Sequence, residues 1–122
     1  MTARELRIGN YIDRNGLIEV RVISQSGVKI YDHVNNIFPP TFFDFDENIK
    51  PIPLTEEWLL KFGCEKAKRG FVIDRFRLTY NEQYKFWYVV DDITLSYITK
   101  VEFVHEWQNV YFVLNGTELT IK

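Results

Sequence analysis

Two stretches of this chain alternate apolar and polar residues with a period of two, and that alternation leaves few folds open. Ile18, Val20 and Val22 alternate with Glu19 and Arg21, and Phe76, Leu78 and Tyr80 alternate with Arg75, Arg77 and Thr79. A strand sends successive side chains to opposite faces, so each stretch predicts a strand with one buried face. Turn signals bracket both: Asn15-Gly16 and Ser26-Gly27 around the first, Arg69-Gly70 and Asn81 to Gln83 around the second. Val28, Ile30 and Tyr31 supply a further short strand. Tyr84 to Val90 and Ile93 to Ile98, separated by Asp91-Asp92, return the chain twice more, and the second half reads as an antiparallel meander.

Helical signals are fewer. Thr2 and Glu5 have capping-box spacing for one opening turn. In the segment PIPLTEEWLLKFG, residues 51 to 63, Thr55 is a helix cap, Glu56 and Glu57 suit the positive end of the dipole, and Gly63 is a stop. A helix over about 55 to 62 is too short to hold alone, so Trp58, Leu59 and Phe62 must pack on something. Near the end, Val104, Trp107, Tyr111 and Leu114 share a helical face with Gly116 as a stop, which predicts a helix near 103 to 114. Asn115-Gly116 between YFVL and TELTI is also a hairpin signal and keeps that alternative open, but the helical spacing is the preferred reading. From Asp32 to Pro53 neither period holds. Pro39, Pro40, Pro51 and Pro53 each remove a backbone donor, which predicts an ordered connection folded over the core by Phe38, Phe42, Phe43 and Phe45, with any strand short or on an edge.

The chain has 122 residues, the size of one domain, and residues 1 to 122 are read as a single domain. Ten Phe, seven Tyr and three Trp supply apolar surface enough to offset the entropy of ordering. The one cysteine, Cys64, allows no internal disulfide and no cysteine pair for zinc, which fits a reducing, cytoplasmic setting. The N-terminus lacks the apolar run of an export signal, and no run is long enough to cross a membrane, so no membrane partner is expected.

Charge is the more telling feature. The net charge is −2, yet residues 61 to 77 hold Lys61, Lys66, Lys68, Arg69, Arg75 and Arg77 against Glu65 and Asp74, a local balance of +4 that leaves −6 elsewhere. On a strand Arg75 and Arg77 share a face. With Lys66, Lys68 and Arg69 they form a candidate anion-binding patch, beside Tyr80, Tyr84 or Trp87 as stacking platforms. Other constellations carry less. Asp44, Asp46 and Asn48 alternate like calcium ligands, but Ile49 stands where the loop needs Gly and Thr55 where it needs Glu. His33 and His105 have no metal-ligand spacing around them, and His105, beside Val104 and Trp107, is a candidate polar site residue. Cys64 sits just after a helix C-terminus, where the dipole disfavours a thiolate, and Asp91-Asp92 reads as a solvated turn. No phosphate loop, dinucleotide fingerprint, kinase set or serine elbow is present, so no catalytic residue, metal or cofactor is assigned.

Three motifs, ELRIGNYI, PIPLTEEWLLKFG and VHEWQNVYFVLNGTELTIK, resemble a family of small uncharacterised proteins of Bacteroidetes, their phages and mobile elements. The resemblance covers most of the chain. Typical members end closer to YVHQLQNLYFALTGEEL, from which this chain departs at Phe103, Glu106, Trp107, Val110 and Val113. The resemblance implies an accessory role of phage or mobile-element origin and brings no site residue. The start of the chain, RIGNYI followed by NGLIEVRVI, also resembles the first hairpin of Tudor and KOW barrels, which bind proteins, modified residues or RNA.

The expected architecture is therefore α+β, a strongly bent antiparallel sheet or small barrel-like β-roll carrying the two helices. The expected function is a non-enzymatic binding protein, sequestering a host protein or a signalling nucleotide in counter-defence. The rivals are nucleic acid bound at the basic strand and a hydrolase using His105 with a carboxylate.

Overall fold

The computed structural model describes residues 6–13, 17–23, 27–32, 37–44 and 50–122. The expected turn at Thr2, the glycine turn at Asn15-Gly16, His33, Phe45 and the run from Asp46 to Asn48 lie outside them. The chain divides into two compact units, one of residues 1–52 with 103–118, the other of 53–102 with 119–122. The α+β class stands: every strand pairing is antiparallel and two helices are present. The strands form two open sheets, one in each unit, and neither closes into a barrel among the described residues.

The first unit holds a four-stranded sheet in sequential order: β1 (Tyr11–Asp13), β2 (Leu17–Ile23), β3 (Gly27–Asp32) and β4 (Ile37–Asp44). β4 corrects the reading of 32 to 53 as a connection, for it is the longest strand among the described residues. Its prolines explain both the misreading and the outcome. β4 is an edge strand, and its register against β3 slips between the pairs Ile30↔Thr41 and Asp32↔Ile37, the interval that contains Pro39 and Pro40. Residues that cannot donate sit where the ladder is already interrupted. Beyond it, Asp13 and Lys50 exchange backbone hydrogen bonds of 2.9 and 2.7 Å.

The C-terminal segment resolves as the helix α2 (Val104–Asn115), not the hairpin. Gly116 takes the left-handed conformation at φ 77° and donates to the Phe112 carbonyl, closing the last turn, while Glu106 accepts from the backbone of Phe103 at the other end. Its buried face is Val104, Trp107, Gln108 and Tyr111 with His105, at the i, i+3, i+4, i+7 spacing of one helical side. Leu114, expected on that face, is about half exposed.

The N-terminal segment is fastened to α2 by side-chain hydrogen bonds. Gln108, fully buried, accepts from the Tyr11 amide at 2.8 Å and donates to the Gly9 carbonyl at 2.9 Å. Asn10, also fully buried, accepts from the Arg7 amide and donates to Asn109. The Arg7 guanidinium reaches Asn109 Oδ1, the Gln108 carbonyl and both oxygens of Glu118, and lies 4.2 Å over the Phe112 ring. The RIGNY and QN motifs are thus two halves of one polar clamp. Each buried polar group in it has a partner, which is the condition for leaving such groups in an interior.

The second unit begins with α1 (Glu56–Lys61), capped by Thr55, whose hydroxyl accepts from the Trp58 amide. Leu59 and Phe62 are fully buried and Trp58 half-buried, its ring 5.6 Å from Phe62. Five strands follow in sequential order: β5 (Glu65–Lys66), β6 (Phe71–Ile73), β7 (Phe76–Asn81), β8 (Phe86–Asp91) and β9 (Tyr97–Val101). Phe76, Leu78, Trp87, Val89 and Val101 are buried on the inner face of this sheet. Trp87 Nε1 donates to the Leu54 carbonyl at 2.8 Å, tying the chain before α1 to that face.

Candidate functional site

The basic stretch at 61 to 77 falls on α1, β5, β6, β7 and the turns between them. The register separates what the sequence grouped. On β7 and β8 the pairs Arg77↔Val90, Thr79↔Tyr88 and Asn81↔Phe86 stand on the outer face, while Leu78↔Val89 and Tyr80↔Trp87 stand on the inner one. Arg77 therefore points away from Tyr80 and Trp87, two of the three aromatics proposed as its platforms. Trp87 is 4 % exposed and committed to the Leu54 carbonyl, which removes it as a stacking surface. With Tyr80, whose ring lies 5.0 Å away, it lines a separate recess of about 310 Å³ with Pro53, Leu54, Thr55 and Glu56.

Arg75 and Arg77 do not share a strand face. β7 begins at Phe76, and Arg75 sits with Asp74 in the β6–β7 turn, where Asp74 takes a positive φ of 51°. Arg75 holds Asp91 through Nε and Nη2 at 3.0 and 2.6 Å. The Asp91 carboxyl also accepts from the amides of Ile93 and Thr94, closing the β8–β9 turn. The Thr94 and Ile93 amides, and then Arg75, hold this carboxyl below its usual range. Arg77 pairs with Asp92 at 2.8 Å, and its Nη1 donates to the Arg69 carbonyl. Both arginines carry a carboxylate, so neither is the free cation that the sequence suggested.

Lys68 and Arg69 are different. They lie exposed on the β5–β6 turn, and neither makes an ion pair among the described residues. The turn is closed by the Ala67 amide on the Gly70 carbonyl and fastened by Arg77 on Arg69. Gly70 has φ 81°, and a Cβ there would overlap the Leu78 carbonyl oxygen of β7, so only glycine fits. Lys68, Arg69 and Arg77, with Thr79, Val90 and Leu95, line an open groove of about 900 Å³. Of the expected patch, the structure brings these three together. Lys66 is exposed on β5, outside the lining of that groove.

His105 is 3 % exposed, its ring parallel to that of Phe103 at 6.1 Å. An imidazole so buried does not favour the hydrolase reading. Cys64 is buried, and burial, with Asp74 adding to it, pushes its thiol up to about 12, as expected of a small buried side chain and unlike a nucleophile. Among the described residues no cluster of three or more His, Cys, Asp or Glu side chains could hold a metal, and no helix is long and apolar enough to cross a membrane.

The reading from sequence missed the outer face of β8 and β9. Phe86, Tyr88 and Val90 alternate with Trp87 and Val89 along β8, and in register with them β9 adds Tyr97 and Lys100. The signal was the unbroken apolar run from Phe86 to Val90, which puts apolar side chains on both faces of one strand. Comparison with known protein families, with curated proteins and with solved structures finds no match to this chain.

Proposed function

We propose that this protein is a non-enzymatic binding module whose ligand is anionic and seats in the groove of Lys68, Arg69 and Arg77. One observation carries this reading: two cations with no carboxylate partner among the described residues stand on a turn that is held by a glycine and by an arginine hydrogen bond, beside a groove lined by Thr79 and Val90. A fixed turn loses little freedom when a ligand binds, so its charges act on the ligand at full effect. Arg77, neutralised by Asp92, serves by positioning the turn. The resemblance to phage and mobile-element proteins supports an accessory role directed at a host component, in the cytoplasm.

The test is calorimetric titration of the full chain with inorganic tripolyphosphate. Lys68→Glu with Arg69→Glu should lower the affinity at least about tenfold and leave the melting transition nearly in place, because exposed charges contribute little to stability. Absence of tripolyphosphate binding by the wild-type protein, or an unchanged affinity in the double variant, overturns the reading.

A further inference from the structure

The groove adjoins an aromatic surface on the same sheet. Thr79 and Val90, which line it, stand in register with Tyr88 and Tyr97. From Tyr97 the rings continue: Tyr88 at 5.9 Å, Phe86 a further 4.8 Å on, then Tyr84 at 6.2 Å. Tyr97 and Tyr84 are 59 % and 63 % exposed, and Phe86 and Tyr88 half-buried. Contiguous exposed apolar surface of this kind marks a place where something binds.

The chemistry around the rings selects the partner. Lys100 Nζ lies 5.0 Å over the Phe86 ring, and Asn81 Nδ2 donates to the Tyr88 hydroxyl, which fixes that ring. Of the other polar residues of this face, Thr79 and Asn81 are uncharged, Asp92 is already paired with Arg77, and Glu65 of β5, in register with Arg77 through Val72, sets one negative charge against the three of Lys68, Arg69 and Lys100; Glu82 and Lys85 in the β7–β8 turn cancel in charge. The face thus presents π-surfaces with a net positive margin. A wholly apolar partner would leave Lys68, Arg69 and Lys100 without a role, and a simple inorganic anion would leave the rings without one. A polyanion whose units carry flat aromatic groups uses both. Phe86 and Tyr88 are two residues apart on one strand, about 7 Å along it, so the rings repeat in one direction as stacked bases of an extended strand do.

We propose that the outer face of β7, β8 and β9 binds single-stranded nucleic acid, with bases on Tyr88, Tyr97 and Phe86 and phosphates at Lys68, Arg69 and Lys100. This rests on the anion-binding reading of the groove and names its ligand.

Fluorescence anisotropy with the full chain decides it, using a labelled oligothymidylate of about 12 nucleotides and an abasic oligonucleotide of equal length and charge. The oligothymidylate should bind at least about tenfold more tightly than the abasic strand, and its affinity should fall steeply with salt. Tyr97→Ala, and Tyr88→Ala with Tyr97→Ala, should reduce oligothymidylate affinity toward the abasic level while leaving tripolyphosphate affinity unchanged. Equal binding of the two oligonucleotides overturns the stacking proposal, and the contrast needs no variant and so does not depend on one that folds. Tripolyphosphate binding without oligothymidylate binding overturns the nucleic-acid ligand and leaves the anion groove standing. Failure of all three probes overturns both.

Discussion

The two units solve the same problem with opposite means. In the first, the segment entering β1 is held to α2 by polar groups, with Gln108 and Asn10 fully buried and Arg7 gripping Glu118. In the second, the inner face of the sheet is closed by Phe76, Leu78, Trp87, Val89 and Val101, and the Trp87 indole donates to the Leu54 carbonyl, joining the chain before α1 to that face. Hydrophobic burial is non-directional, whereas a hydrogen bond fixes partner and register. The first unit thereby specifies where its non-contiguous pieces meet. The second consists mainly of neighbours in sequence and needs less specification.

The sharpest way to break this comparison is to empty the apolar side. Phe62→Ala should destabilise by about 3 to 5 kcal/mol in denaturant melts, as for other large aromatic truncations in a core. A loss under about 1 kcal/mol would show that α1 is peripheral. On the polar side, Gln108→Leu keeps the volume and takes away the bonds that Gln108 makes to the buried Tyr11 amide and the part-buried Gly9 carbonyl, which should cost about 2 to 4 kcal/mol. If it is neutral, the clamp is no more than ordinary packing and the contrast fails.

The smallest effect expected is acidic. Asp91 has its folded value below the ordinary 3.8, so the unfolded chain takes up the proton first as pH falls. The stability it contributes is complete above about pH 4 and is lost as pH drops through the folded value. Following the Ile93 and Thr94 amides by NMR during an acid titration should show this turn loosening, and Asp91→Asn should remove the transition. An unaltered acid profile in that variant would mean that Arg75 and the two amides do not hold the carboxylate.

The sequence revealed local devices and hid distant ones. The Thr55 cap, the Gly116 stop and the alternation through Phe76 and Leu78 are each written within a few residues, and the structure has them all. The α2 helix was recoverable because Val104, Trp107 and Tyr111 span two turns on one side. The clamp was not, for Arg7 and Glu118 stand 111 positions apart, and nothing in RIGNY alone says that its asparagine will be buried. β4 was hidden by Pro39 and Pro40, which argue against a strand unless it lies on an edge and is interrupted there. Of the candidate site, Lys68, Arg69 and Arg77 were legible as a charge run. Which aromatics accompany them was not, since a strand that is apolar on both faces does not say which one is turned inward.

Gly70 bears on inheritance as well as on shape. Every single-base change in a glycine codon that alters the residue introduces a side chain, starting at a Cβ, or stops the chain, and here even a methyl group meets the Leu78 carbonyl. In a saturation library selected for folded protein, position 70 should stay fixed, while its exposed neighbours Lys68 and Arg69 drift freely. Adding a selection for ligand capture should then freeze those two as well, so that comparing the libraries separates, codon by codon, what the backbone demands from what the partner demands.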